Sequence, residues 1–290
     1  MSLGAAEAEG TLSASFAEVS IDAVRNYWNA RPCNIRHSTQ PRGTRAYFDE
    51  VEARKYYVEP HIPGFAEFAR WKDKKVLEIG CGIGTDTMNF LRAGAKVTSV
   101  DLSTESLAMA KQRASVFGFE DRVRFHQANA EQLSQTVPVE RYDLVYSFGV
   151  IHHTPHPERV LDEIRKYVGP GCTVKLMMYY TFSWKVLWIL LSYGRLRFWD
   201  LKRLVATHSE AQTGCPVTYT YGKRELSRMM EARGWRVKDV FVDHIFPYSI
   251  SEYVRYEYKK VWYFRWMPRG LFRWFERRLG WHLCITATVS

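Results

Sequence analysis

The sequence predicts an α/β protein in which helices doubly wind a parallel sheet, with a helical cap before the sheet and insertions late in the chain. Strand-like apolar runs alternate with helical ones from Lys75 to Tyr180. Gly94 and Gly118 stand where helices should stop, and Gly169-Pro170-Gly171 makes a turn before the fifth run. A chain of 290 residues with 46% hydrophobic and 25% charged content is long and apolar enough for one large core with additions.

Residues 1–20 are small and partly acidic, lack the basic start and apolar core of a signal peptide, and read as a loose tail. Residues 21–74 form a cap, with an aromatic and basic stretch at 27–37 and a helix at 47–58. The main domain, 75–290, opens with strands at 76–79, 97–100, 123–126, 144–147 and 174–178. Insertions at about 182–220 and 247–280 interrupt its closing elements, a helix at 223–233 and strands near 237–242 and 283–289. Such insertions at the ligand end of an open sheet usually shape a substrate pocket.

The net charge of +10 suits an anionic partner, whether nucleic acid, a membrane surface or an acidic substrate. Cys33, Cys81, Cys172, Cys215 and Cys284 are odd in number, spread out and never in a C-x-x-C pair. That usage predicts a reducing, cytoplasmic location and no cysteine-based zinc site. The most apolar run, 186–191, is far shorter than the ~20 residues of a membrane-spanning helix, so no such span is expected.

The first strand runs into a glycine-rich turn, Val76-Leu77-Glu78-Ile79-Gly80-Cys81-Gly82-Ile83-Gly84-Thr85. Gly80, Gly82 and Gly84 let backbone approach a ligand where a Cβ would collide. A dinucleotide fingerprint needs glycine where Thr85 stands, so the expected cofactor lacks a pyrophosphate. Asp101 closes the second strand, placed for a carboxylate that accepts both ribose hydroxyl protons. Its other reading is an N-cap, a task for which Ser103 and Thr104 are available. Ala128-Asn129-Ala130-Glu131 follows the third strand. The fourth strand leads through Ser147-Phe148-Gly149-Val150 into Ile151-His152-His153-Thr154-Pro155-His156-Pro157.

Over residues 76–178 these runs resemble the class I, Rossmann-like S-adenosylmethionine-dependent methyltransferases. They closely resemble the small-molecule enzymes of ubiquinone and menaquinone biosynthesis and their many relatives, which often place a histidine pair after the fourth strand. The resemblance implies a seven-strand sheet with its last strand antiparallel, S-adenosylmethionine as cofactor and S-adenosylhomocysteine as product. It also implies a cofactor site of Glu78, Gly80, Cys81, Gly82, Gly84, Asp101, Leu102, Asn129, Ala130 and Phe148, with Glu78 ordering the loop. The family commonly has Asp at the Asn129 position to hold the adenine amino group, and the asparagine carbonyl oxygen still accepts that bond.

In the implied reaction a nucleophile displaces the methyl group in line. Alignment alone lowers such a barrier by ~7 to 11 kcal/mol, and a base is needed only if the acceptor must lose a proton. His152 is the first candidate base, on the loop at the ligand end of the fourth strand; His153 is next and Tyr27, in the cap, third. Adjacent histidines point in different directions, which leaves one of them open to a packing or capping role. No metal is expected on His152, His153 and His156, because H-H-x-x-H lacks a helical i, i+4 pair.

The acceptor is expected to be a small molecule, aromatic, isoprenoid or lipid-like. Tyr27, Arg31, Arg36 and His37, and residues 209–216, are candidate acceptor-side pieces, surface capping being the plain alternative for the first four. Leu271, Trp274 and Phe275 have helical spacing, with Arg273, Arg277 and Arg278 free to face water or anionic headgroups. Peripheral contact with the inner membrane face follows from one reading of that stretch; aromatic core packing under a charged rim is the preferred one. Methylation of RNA is disfavoured, because no N-P-P-Y-type tetrapeptide follows the fourth strand and no separate RNA-binding domain is present. A different reaction of the same sulfonium, or a non-catalytic scaffold, completes the alternatives.

Overall fold

The computed structural model describes residues 16–194, 198–209 and 214–289. Before the sheet come α1 (Ile21–Ala30), α2 (Arg45–Val58) and α3 (Ile62–Ala66). The wound core follows as β1 (Lys75–Ile79), α4 (Thr85–Arg92), β2 (Lys96–Asp101), α5 (Thr104–Val116), β3 (Val123–Gln127), β4 (Leu144–Phe148), α6 (Pro157–Ile164) and β5 (Thr173–Tyr179). Then come α7 (Trp184–Ser192), α8 (Leu201–His208), α9 (Lys223–Glu231), β6 (Trp235–Asp243), α10 (Ile250–Tyr253), α11 (Trp262–Arg265), α12 (Arg269–Leu279) and β7 (His282–Val289).

The seven strands order as β3-β2-β1-β4-β5-β7-β6. β1 to β5 pair in parallel, and β7 runs antiparallel between β5 and β6, as the resemblance implies. The central strands β1, β4 and β5 are mostly apolar because helices cover both faces, whereas β2 carries Thr98 and Ser99 and the edge strand β3 carries Arg124, His126 and Gln127. Successive side chains point to opposite faces, so Leu77 and Ile79 join Val145, Val174 and Leu176 against Val160, Leu161 and Ile164 of α6. Val76, Leu144, Tyr146 and Met177 pack the other way, against Met88, Phe90 and Leu91 of α4 and Ile189 of α7.

The loose tail has to be shortened. Residues 1–15 lie outside the described residues, whereas Phe16–Glu18 form a helical turn whose Phe16 ring meets Tyr219 edge-on at 4.9 Å. Ser20 then caps α1 by accepting the Ala23 N–H. Of the first insertion, 195–197 and 210–213 lie outside the described residues, which takes in half of the 209–216 acceptor candidate.

The cap and the second insertion meet over the carboxyl edge of the sheet. The Tyr256 hydroxyl donates to the Arg36 carbonyl at 2.8 Å, and Tyr253 Oη lies 3.1 Å from His37 Nε2. The Arg54 guanidinium of α2 sits 4.1 and 4.0 Å from the Tyr253 and Tyr256 ring centres and donates to the Tyr253 carbonyl. The His37 ring and the Arg36 backbone carbonyl therefore fasten distant segments. The aromatic-basic C-terminal stretch divides: Phe264, Phe272 and Phe275 pack together and on Trp184, while Trp262, Trp266, Leu271 and Trp274 face outward.

Candidate functional site

A cleft of about 1220 Å³, partly open to solvent, lies at the carboxyl ends of β1, β2 and β4, where ligands of open α/β sheets bind. Its floor is the turn after β1, held down by Gly80 and Cys81 N–H groups donating to the Val100 carbonyl at 2.7 and 3.0 Å. Gly80 has φ +80, and a Cβ there would sit 2.1 Å from Val150 Cγ2. Gly82 has φ +53, and a Cβ there would project into open space. Only at Gly82 does the missing side chain make room for a ligand.

Asp101 lines the cleft at the end of β2. One carboxylate oxygen accepts the Gly82 N–H at 2.7 Å and the other the Ser103 N–H at 2.8 Å, which fixes its plane and leaves a lone pair on each oxygen. Ser103, not Asp101, caps α5, accepting the Ser106 N–H at 3.0 Å. Burial raises the Asp101 pKa to about 6 despite those amides. Cys81, Leu102, Asn129, Ala130 and Phe148 complete this half of the lining. The Asn129 carbonyl oxygen already accepts the Glu131 N–H at 3.0 Å as a helical cap, so only its second lone pair is left for an adenine amino group.

Two members of the expected cofactor set stand behind the lining. Glu78 is buried under the turn, where its carboxylate accepts hydrogen bonds from Thr87 and Ser99, and burial raises its pKa to about 7. It lies under the loop without facing the cleft. Gly84 has φ +77 and starts α4; a Cβ there would come 3.1 Å from Ala110 Cβ, so this glycine serves the contact of α4 with α5.

Of the histidine pair, only the second lines the cleft. His152 is fully buried, its ring 3.8 Å from that of Tyr179, and neither ring nitrogen finds a hydrogen-bond partner. Burial first, then the neighbouring His153 and Lys185, push its pKa well below the usual value. His152 does not line the cleft; His153 does. His153 Nδ1 lies 2.8 Å from the Val217 carbonyl, so it carries the proton and Nε2 carries the lone pair of the neutral ring. The Tyr219 N–H donates to the His152 carbonyl at 2.9 Å, tying residues 217–219 to this loop.

Tyr27 is displaced in a similar way: its neighbour Trp28 lines the cleft and packs on His153 with ring centres 5.2 Å apart. Tyr27 turns aside under the Arg31 guanidinium, 5.1 Å from its ring centre. Ile21, Val24 and Trp28, spaced i, i+3, i+7 on α1, form the wall there, and that stripe is the signal by which the sequence could have shown it. Cys33 and Asn34 from the 27–37 stretch also line the cleft, whereas Arg31, Arg36 and His37 do not. Lys55 lies in the lining as well, held by Asp86 at 2.7 Å; Asp86 also accepts the Tyr56 and Tyr146 hydroxyls, both at 2.9 Å.

A family model described as a methyltransferase domain matches residues 71–232. The chain is 31% identical over 176 residues to the ubiquinone biosynthesis O-methyltransferase of Aeromonas salmonicida, covering 61% of this chain and 68% of that one. It spans only 25%, 47% and 38% of the length of three other curated relatives it matches. Among solved structures, magnesium protoporphyrin IX methyltransferase from Synechocystis with bound S-adenosylhomocysteine shares the fold. Its TM-score is 0.59 at 15% identity, with coverage of 93% of this chain and 100% of that one. Geranyl diphosphate C-methyltransferase from Streptomyces coelicolor does so with a TM-score of 0.59 at 14% identity, over 98% of this chain and 100% of that one.

Proposed function

The chain belongs to the class I S-adenosylmethionine-dependent methyltransferases, and on that premise we propose that it methylates a small, largely apolar acceptor held beside Trp28 and His153. The observation that supports this reading is the make-up of the cleft. Beyond Asp101 and the glycine turn, its lining continues as Ile21, Val24, Trp28, Phe148, Met177 and Tyr179, with His153 among them. An aromatic or isoprenoid acceptor matches those walls better than a polyanion does.

The residues present fit the cofactor. The Asp101 carboxylate, oriented by two amides, would take the ribose hydroxyls, Gly82 would admit the methionine part, and Asn129 with Ala130 would border the adenine. When bound, S-adenosylmethionine supplies a methyl group on a sulfonium that leaves as a neutral thioether. The protein needs no nucleophile of its own. Its task is to hold the acceptor atom in line and keep water out, and alignment of this kind is worth ~7 to 11 kcal/mol. Where the acceptor is a hydroxyl or protonated amine, His153 Nε2 would take the proton.

Calorimetry with S-adenosylhomocysteine, with NAD as control, tests the reading. Binding to the first alone is expected, weakened strongly in Gly82→Val and Asp101→Ala. Unchanged affinity in both variants would sink the cofactor site, and release of methylthioadenosine during turnover would sink methyl transfer.

An isoprenoid acceptor would partition into lipid, and the surface offers a way to reach it. Trp262, Trp266 and Trp274 are 80%, 82% and 55% exposed, amid exposed Arg265, Arg269, Arg277 and Arg278. Tryptophans set among arginines suit an anionic bilayer surface.

A further inference from the structure

Four side chains meet at one wall of the cleft from separate parts of the chain. Glu59 and His61 follow α2, His244 follows β6, and His282 is the first residue of β7. His282 Nε2 lies 3.6 Å from Glu59 Oε1, and its Nδ1 lies 3.0 Å from His61 Nε2. The His244 ring stacks on that of His282 with centres 4.5 Å apart. One ligand atom from each of Glu59, His244 and His282 falls within 4.8 Å of the other two. His244 holds φ +70, a left-handed conformation uncommon outside glycine.

We propose that Glu59, His244 and His282 form a two-histidine, one-carboxylate site for a divalent transition metal of the zinc or ferrous class, with open positions toward the cleft. This ligand set is the one that catalytic zinc and non-haem iron sites use when they keep coordination positions free. Glu59 and His282 line the cleft, so the free positions are reachable from it. Binding at ~2.1 Å from each ligand would draw the three atoms in to ~3.4 Å of one another in a tetrahedral arrangement.

His61 completes the site without touching the metal. With a metal on His282 Nε2, the His282 Nδ1–H would donate to His61 Nε2, 3.0 Å away, and a metal-bound imidazole is usually oriented by such a partner. Of the cations nearby, Lys55 is paired with Asp86, and Arg273 with Asp243 and Glu276. Lys185 lies over the Trp281 ring, 4.7 Å from its centre. The ligand class that fits the open positions is an acceptor with an oxygen donor, a phenol or hydroxyl; that clause alone rests on the methyltransferase reading.

The test uses the full chain, stripped of metal, titrated with Zn²⁺ against a chromophoric chelator and with Co²⁺ for its visible spectrum. One equivalent should bind. His61→Ala should weaken binding ~10- to 100-fold, as loss of a supporting partner does, and Glu59→Gln should weaken it by more. Thermal melts and S-adenosylhomocysteine calorimetry check that the variants are folded. Acetohydroxamate, a bidentate oxygen ligand, should shift the Co²⁺ spectrum of the wild-type protein. Binding below one equivalent, or equal Zn²⁺ affinity in Glu59→Gln, would overturn the site, and an unshifted spectrum would overturn its open positions. Since no methyl acceptor is used, a failure here leaves the cofactor reading standing, and loss of S-adenosylhomocysteine binding with intact metal binding would do the reverse.

Discussion

His153 and His152 share a turn but not an environment. The Val217 carbonyl fixes the tautomer of His153 with Nε2 basic, and the ring lines the cleft. His153→Gln should therefore lower turnover by ~10²- to 10⁴-fold on a proton-bearing acceptor, with S-adenosylhomocysteine affinity unchanged. A pH profile of the chemical step checks this, and an acidic limb that persists in the variant would exclude His153 as the base. His152 has two buried nitrogens without partners, an arrangement that costs ~1 to 3 kcal/mol per orphaned group. His152→Leu should keep turnover within a few-fold and leave the melting temperature unchanged or higher. The position of the pair was legible in the sequence, since it follows from where β4 ends. Which ring faces the cleft was not, because that depends on the helical turn at Ile151–His153 and on a carbonyl from a remote segment. Asp101 was legible in its place at the end of β2, and its titration gives a second prediction. Its pKa of about 6 in the fold stands above the ordinary aspartate value of 3.8, so the folded state holds the proton more tightly. The group's contribution to stability is thus full below about pH 4 and is lost as pH rises through about 6. Ribose hydroxyls need the ionised form. Calorimetry across about pH 5 to 8 should show S-adenosylhomocysteine affinity rising up to about tenfold per pH unit below 6 and levelling above it. Asp101→Asn should bind more weakly and show no such slope.

Among the elements, the central strands β1, β4 and β5 were plain in the sequence because burial on both faces favours apolar runs, whereas β2 and the edge strand β3 carry more polar residues. The cap was harder. Tyr27 draws the eye in a stretch rich in aromatic and basic residues, yet the wall of the cleft is the Ile21, Val24, Trp28 stripe of α1, whose first members lie before that stretch. Arg36 and His37 read as candidate ligand residues because nothing local reveals their partners, Tyr256 and Tyr253, far along the chain. The metal-ligand cluster was hidden for the same reason: its members gather only when β7 lies beside β6. Arg54 is the pin of the cap. A desolvated cation over aromatic rings is worth ~2 kcal/mol, although Arg54 Nε and Nη1 find no partner and offset part of that. Arg54→Leu should release the segment around α10, seen as faster limited proteolysis between about residues 247 and 260, while S-adenosylhomocysteine affinity stays within a few-fold. Cleavage at the wild-type rate would show that other contacts hold the two segments.

At the scale of the molecule, the charge of +10 and the outward tryptophans belong to one argument. Among the described residues no helix is long and apolar enough to cross a membrane. Flotation with vesicles rich in phosphatidylserine should capture the protein at low salt and release much of it at about 0.5 M salt, where the screening length falls well below 8 Å. Trp262→Ser with Trp266→Ser should abolish capture. Equal capture by neutral and anionic vesicles, or none, would remove the lipid surface from the account. The position of β7 has a consequence for synthesis. It lies between β5 and β6 although it follows β6 in the chain, so on a ribosome β6 emerges with no strand to join and the edge of β5 stays unpaired. Until β7 arrives the cleft lacks its His282 wall, and the nascent chain exposes two sticky strand edges that a holding chaperone would have to shield.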